Sequence, residues 1–229
     1  MIVVTGRMFR STRPYLIEAG LDDPVVCYQG AVVADPVSGE WLRHVPIPRP
    51  VALEAIDAVT AAGFHVNCYV ADELYVARLT PEAQAYAGFQ HLDIHEVGDL
   101  REWLSTDPTK LVAVGDPGQL DALEDVLKPR FRGRLFVSKS LPHFLEFADP
   151  SVSKGSGLAF VAERLGFTPA ETVACGDGEN DRELLEWAGF GVAVANAHED
   201  ILRLADLVVP PVAEEGVAIL FEAYLDSLS

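Results

Sequence analysis

Cysteine is scarce in this chain. The three that occur, Cys27, Cys68 and Cys175, follow neither a metal-ligand nor a paired spacing. An odd, scattered set excludes a disulfide-built scaffold and fits a reducing cytoplasm. Positive charge is also short: 17 Lys and Arg stand against 35 Asp and Glu, a net charge of −18. A surface this acidic repels nucleic-acid phosphates and anionic lipid, which argues against nucleic acid and membrane as main partners. It leaves room for a small anion in a locally positive pocket. No apolar run approaches the ~20 residues of a membrane span. The start, Met1-Ile2-Val3-Val4-Thr5-Gly6-Arg7, lacks the basic region and long apolar core of a signal peptide. Internal repeats and low-complexity stretches are missing too. What is present is an apolar share of 49% over 229 residues, enough core for one large domain or two small ones.

Short apolar strands alternate with helical patterns almost throughout, which predicts parallel α/β units. Ile2–Val4 reads as a strand ending at Thr5-Gly6-Arg7. A helix is expected from Phe9 to Ala19, stopped by Gly20, then a strand over Pro24–Tyr28. A hairpin is expected from Ala31–Ala34 and Trp41–His44 around the turn at 35–39. Pro46–Pro50 has the composition of a stiff linker. From there the texture changes to an α+β module. It holds a helix over Val51–Ala62 with Leu53, Ile56 and Val59 on one face, and a strand whose His65, Asn67 and Tyr69 form a polar face. Leu74–Ala77, Lys110–Val114, Arg134–Val137 and Phe144–Phe147 read as further strands. Pro81–Tyr86, Asp99–Leu104 and Gln119–Leu127 read as helical. After Pro150 the α/β rhythm returns. Ser153 opens a helix to Leu165 stopped by Gly166, and strands at Phe190–Val194 and Leu207–Val209 precede a last helix from Gly216 to about Leu228.

The most informative segment is Cys175-Gly176-Asp177-Gly178-Glu179-Asn180-Asp181. A β-prone run leads into it and an amphipathic run follows. Asp177 and Asp181 therefore sit at the carboxyl edge of a sheet, where open α/β folds hold ligands. Two carboxylates on one short turn repel each other unless a cation lies between them, which points to a hard divalent metal, magnesium first. A solvated turn in which Asn180 or Asp181 caps the next helix would also have this composition. So would part of a calcium loop, but the remaining EF-hand ligands are missing. Thr5-Gly6-Arg7 offers a hydroxyl and turn N–H groups to phosphate oxygens, or is an ordinary strand-to-helix turn. Lys154 opens a helix, where the dipole disfavours a cation; it makes sense there facing an anion, or as a solvated lysine. The six histidines are spread out. His91 and His95 stand four apart, as metal ligands on a helix would, without nearby support. Ser151-Val152-Ser153-Lys154 matches Ser-x-x-Lys, but the companion motifs of acyl-serine hydrolases are absent.

Taken together, these residues resemble the haloacid dehalogenase superfamily, in particular its Cof-type (subfamily IIB) phosphatases with a large cap. Val4-Thr5-Gly6-Arg7 resembles the second motif, and Cys27-Tyr28-Gln29-Gly30-Ala31 a strand end with Gln29 in place of the usual Asn. Ser153-Lys154-Gly155 is similar to the third motif and Gly176–Asp181 to the fourth. Glu215-Gly216-Val217-Ala218 is similar to the start of the family's C-terminal helix. The resemblance implies a Rossmann-like parallel-sheet core, residues 1–45 and 147–229, with an inserted α+β cap, 46–146. It implies magnesium-dependent hydrolysis of a small phosphorylated metabolite such as a sugar phosphate. Thr5 and Lys154 would be catalytic, Gly6, Arg7 and Asn180 would bind substrate, and Asp177 and Asp181 would bind magnesium. Alternatives are a non-catalytic phosphometabolite-binding protein and a phosphomutase of the same fold.

The family's first motif, Asp-x-Asp-Gly-Thr, is not in the sequence. It carries the nucleophile and lies on the first, central strand. Without it the chain is expected to be inactive and its sheet to miss a strand. The corresponding expectation is that the natural polypeptide starts upstream, a strand, loop, helix and connection adding roughly 35–45 residues.

Overall fold

The computed structural model describes residues 1–90 and 92–227, which fall into two compact units, Met1–Val152 and Ser153–Ser229. The first unit begins with a single rung of parallel pairing, Val4 with Val26. The Thr5 N–H donates to the Val26 carbonyl at 2.8 Å and the Val26 N–H to the Val3 carbonyl at 2.9 Å. The strand expected at Ile2–Val4 is thus reduced to one bridge. Helix α1 (Phe9–Glu18) ends at Gly20, whose φ of +66° is the left-handed stop the pattern predicts. Strands β1 (Val25–Cys27), β2 (Val32–Ala34) and β3 (Trp41–His44) form an antiparallel sheet, with the expected hairpin between β2 and β3. Tyr28 and Gln29 link β1 to β2 in the left-handed region, at φ +52° and +59°.

The Pro46–Pro50 stretch is clamped rather than loose. Ile47 is fully buried and its N–H reaches the Pro108 carbonyl at 2.8 Å. Helix α2 (Arg49–Ala61) buries Ala52, Ala55, Ile56 and Val59, while Leu53 is only half-buried, so the apolar stripe is turned slightly from the expected one. A six-stranded sheet follows, built from β4 (His65–Val70), β5 (Glu73–Val76), β6 (Ile94–Glu96), β7 (Lys110–Val114), β8 (Phe136–Leu141) and β9 (Phe144–Ala148). Its order is β6-β5-β4-β7-β9-β8, antiparallel except at β5–β6. Helices α3 (Pro81–Gln90), α4 (Leu100–Trp103) and α5 (Pro117–Arg130) complete the unit. β8 starts two residues later than the expected strand, since the Arg134 and Leu135 N–H groups donate to the Phe131 carbonyl at 2.8 and 2.9 Å in the turn after α5.

One face of this sheet packs Val66, Cys68, Leu111, Ala113, Leu145 and Phe147 against α2 and α5. The other joins Tyr69, Leu74, Val76 and Val112 to Tyr28 and to Ala83 and Tyr86 of α3. Both faces are therefore covered, and the expected polar face of β4 is not solvated: Asn67 and Tyr69 are 0% exposed. His95 lies on a strand and pairs with Glu73 at 3.1 Å, which removes the helix its spacing from His91 would need. His91 lies outside the described residues.

The second unit holds α6 (Lys154–Leu165), β10 (Val173–Gly176), α7 (Arg182–Trp187), β11 (Phe190–Val194), α8 (Glu199–Leu204), β12 (Leu207–Val209) and α9 (Gly216–Ser227). Its strands form a parallel sheet in the order β10-β11-β12, as alternating strands and helices predict. Ser153 caps α6 through a reciprocal box with Ser156, and Gly166 stops it at φ +79°. Among the described residues no helix is long and apolar enough to cross a membrane. Cys27 and Cys68 are buried and Cys175 is half-buried. Burial pushes the Cys68 thiol up to about 12 and raises that of Cys27, with Asp72 adding to the latter; the Cys175 thiol is raised by the same desolvation.

Candidate active site

The predicted residues form two clusters, one in each unit. In the second unit, β10 delivers the chain to its carboxyl end at Gly176. There Asp181 turns back on the loop: its Oδ2 accepts the N–H groups of Asp177 and Gly178, each at 3.0 Å. Its Oδ1 accepts from the Lys154 ammonium at 2.5 Å. Both partners are buried, Lys154 at 9% and Asp181 at 3% exposure. Asp181 stands at the N-cap of α7 but makes no capping bond there, since its oxygens are committed to the loop and the lysine. The cation that opens α6 thus has its counter-charge within the protein. Two glycines make the approach possible. A Cβ on Gly155 would lie 2.3 Å from the Glu183 carbonyl oxygen of α7, and one on Gly176 would lie 2.6 Å from the Asp181 Cβ.

Asp177 is exposed, and no described residue bonds its carboxylate, while its carbonyl holds the His198 N–H at 2.8 Å. The donor set therefore fits a hard cation with Asp177 as the direct oxygen ligand. Asp181 fits as the residue that fixes the loop and Lys154. Asn180 folds over the same turn, its Oδ1 standing 2.6 Å from where a Cβ on Gly178 would lie. Nearby, Glu179, His198 and Asp200 bring ligand atoms within 4.8 Å of one another. Asp200 already pairs with Arg182 at 3.2 Å and Arg203 at 2.6 Å, and these positive neighbours oppose a metal there.

In the first unit, the Thr5 hydroxyl oxygen accepts the Arg7 N–H at 3.2 Å, and its own proton has no acceptor among the described residues. The Arg7 guanidinium is half-buried and makes no hydrogen bond or ion pair among them. The turn is fastened from both sides. The Gln29 N–H donates to the Thr5 carbonyl at 3.1 Å and the Tyr28 N–H to the Arg7 carbonyl at 2.9 Å. Beneath the turn lies a buried ion pair. Lys110 donates to the Gly6 carbonyl at 3.1 Å and pairs with Glu146 at 3.2 Å, and Glu146 also accepts from Gln29 Nε2 at 3.2 Å. The Lys110 ammonium lies 5.2 Å from the Tyr69 ring centre and 5.9 Å from that of Tyr28. The available signal was a charge inside an apolar strand: Lys110 heads Leu111-Val112-Ala113-Val114, and Glu146 interrupts Phe144-Leu145-Phe147. Burial, with the Asp72 carboxylate beside it, keeps the Tyr28 phenol far above its ordinary range and so a hydrogen-bond donor, to Asp72 at 2.7 Å.

A family model for haloacid dehalogenase-like hydrolases matches residues 1–221. The 5-amino-6-(5-phospho-D-ribitylamino)uracil phosphatase of Bacillus subtilis is 29% identical over 228 residues, covering 97% of this chain and 83% of its own. A haloacid dehalogenase-like hydrolase of Bacteroides thetaiotaomicron superposes with a TM-score of 0.87 at 27% identity, covering 97% of this chain and 85% of its own. A protein of Thermotoga maritima does so with a TM-score of 0.82 at 32% identity, over 97% of this chain and 84% of its own.

Proposed function

We propose, on the premise that the chain belongs to the haloacid dehalogenase-like hydrolase family, that it serves magnesium-dependent hydrolysis of phosphomonoesters of small metabolites, sugar phosphates first, in the cytoplasm. The observation that carries the reading is the loop in which buried Asp181 holds Lys154 and leaves the Asp177 carboxylate open. The Bacillus subtilis relative, a phosphatase of a phosphorylated metabolite, supports the substrate class.

In this reading Asp177, supported by Asp181, would hold magnesium, which supplies positive charge to the oxygens of a transferring phosphoryl group. Thr5 donates its free hydroxyl proton to a phosphate oxygen, and the Arg7 guanidinium adds charge beside it. Lys154, fixed by Asp181, neutralises charge in the site, and Asn180 orients the groups around the turn. Residues 46–146 act as the cap that selects the leaving group, and 1–45 with 147–229 as the core. The attacking carboxylate is not among these 229 residues, since no Asp-x-Asp-Gly-Thr occurs in them. That absence favours a second reading for these residues by themselves, phosphometabolite binding without turnover.

A panel of sugar phosphates, assayed for phosphate release and for thermal stabilisation with magnesium or with EDTA, tests both. Hydrolysis predicts magnesium-dependent release. Binding alone predicts magnesium-dependent stabilisation without release. Either effect should be lost in Asp177→Asn and weakened about tenfold in affinity by Thr5→Val, the equivalent of one hydrogen bond. A protein that shows neither effect with any ester contradicts the proposal.

A further inference from the structure

Asn67 carries the one buried side-chain nitrogen or oxygen without a hydrogen-bond partner among the described residues, its Nδ2. Its Oδ1 meets His65 Nε2 at 3.0 Å, and the residue is 0% exposed. Buried donors are rarely left unmade in native proteins, so an orphan of this kind calls for a partner. The strand register shows what surrounds it. Asn67 stands opposite Val112, and Val112 stands opposite Glu146, so amide and carboxylate flank the middle strand on one face. Two strand spacings separate their backbones, about 10 Å, with the Val112 side chain between them and Ala83 and Tyr86 of α3 packed in the same cluster. Lys110 projects on the same face two residues along β7, and is joined to the Thr5–Arg7 turn through the Gly6 carbonyl.

An amide donor, a carboxylate acceptor and an ammonium donor around one small apolar floor match a group that both gives and takes hydrogen bonds at adjacent positions. Neighbouring hydroxyls do this. We propose that Asn67, Lys110 and Glu146 form a subsite for the hydroxyl-bearing part of a phosphorylated sugar or polyol. The proposal rests on the reading of Thr5–Arg7 as the phosphate turn. All three side chains are covered, and Tyr86 of α3 lies over them, its hydroxyl bonded to that of Tyr69 and its ring against Phe144. Admission of the ligand therefore requires α3 to lift from this face.

Calorimetric titration with D-glucose 6-phosphate, ethyl phosphate and inorganic phosphate tests the subsite without requiring turnover. Ethyl phosphate is the same ester without hydroxyls. The wild type should bind glucose 6-phosphate at least tenfold more tightly than ethyl phosphate. Asn67→Ala, which removes the unpartnered Nδ2 together with one bond to His65 and should fold, is expected to reduce that preference about tenfold while leaving ethyl phosphate within twofold. Glu146→Gln should act in the same direction. A wild type without the preference overturns the subsite, as does a preference that survives Asn67→Ala. Failure of inorganic phosphate and ethyl phosphate to bind counts against the phosphate turn instead; the subsite is judged on Asn67-dependent binding of glucose 6-phosphate, whose absence overturns it.

Discussion

Replacing Lys154 with methionine keeps the length and packing of the side chain but strips the buried Asp181 of its cation. Breaking one side of a buried ion pair typically costs about 3–5 kcal/mol, because the remaining charge is stranded in a poorly solvating environment. Asp181 would still accept two backbone N–H groups, at 3.0 Å each, and charge-assisted bonds of that kind offset part of the loss. The expected effect is therefore at the lower end, about 3 kcal/mol. With a urea slope of ~1–3 kcal/mol/M, the midpoint should fall by roughly 1–3 M. Trp187, at the end of α7, is the only tryptophan after residue 153, so its fluorescence follows the second unit. In Lys154→Met/Asp181→Asn no charge is left unpaired. The double variant should be more stable than the sum of the single losses predicts, by about 1–3 kcal/mol. A loss below ~1 kcal/mol in Lys154→Met, or simple additivity in the double variant, would refute the buried pairing as the organiser of the loop.

Glycine substitutions should divide by contact. Gly155→Ala drives a Cβ into the Glu183 carbonyl and should destabilise by ~1–3 kcal/mol, whereas Gly88→Ala in α3 meets nothing within 4 Å and should stabilise by ~0.5–1 kcal/mol, both read from thermal melts. Burial raises the Asp72 carboxyl, against the opposing hydrogen bond from Tyr28. A carboxyl raised in the folded state contributes stability that is present below its unfolded value of ~3.9 and is lost as pH climbs through the folded value. Asp72→Asn should therefore gain stability relative to the wild type as pH rises above about 4 in urea melts; a difference independent of pH would contradict the assignment.

Strong local signals carried over from sequence to structure. Ser153 and Gly166 bound α6 where the cap and stop residues indicate, and the β2–β3 hairpin turns at 35–39. The acidic turn was legible because its residue types are unusual at the end of a strand. β6 and α8 were not: β6 has one apolar residue in three, and α8 opens at His198 without a Ser, Thr, Asp or Asn cap. The burial of the polar face of β4 was not legible for a different reason. Alternation shows that Asn67 and Tyr69 share a side, but their burial depends on Tyr28 and α3, which are distant in the chain or weakly patterned. Lys110 and Glu146 are the same problem in charged form: each looks out of place in its own strand, and only the 36-residue contact between them explains both. Likewise, Asp181 was recognisable as an important carboxylate, while its division of labour between Lys154 and two N–H groups belongs to the folded loop.

The cysteines distribute themselves between the two units in a useful way. Cys27 and Cys68 sit in the interior of the first, and Cys175 lies on β10 of the second. A thiol that is both sealed and reluctant to ionise is nearly inert to alkylating reagents until the backbone around it opens. Pulse labelling with iodoacetamide, resolved by peptide mass spectrometry, would therefore make Cys27 and Cys68 an opening clock for the first unit, with the half-buried Cys175 as an internal reference for labelling that needs less opening.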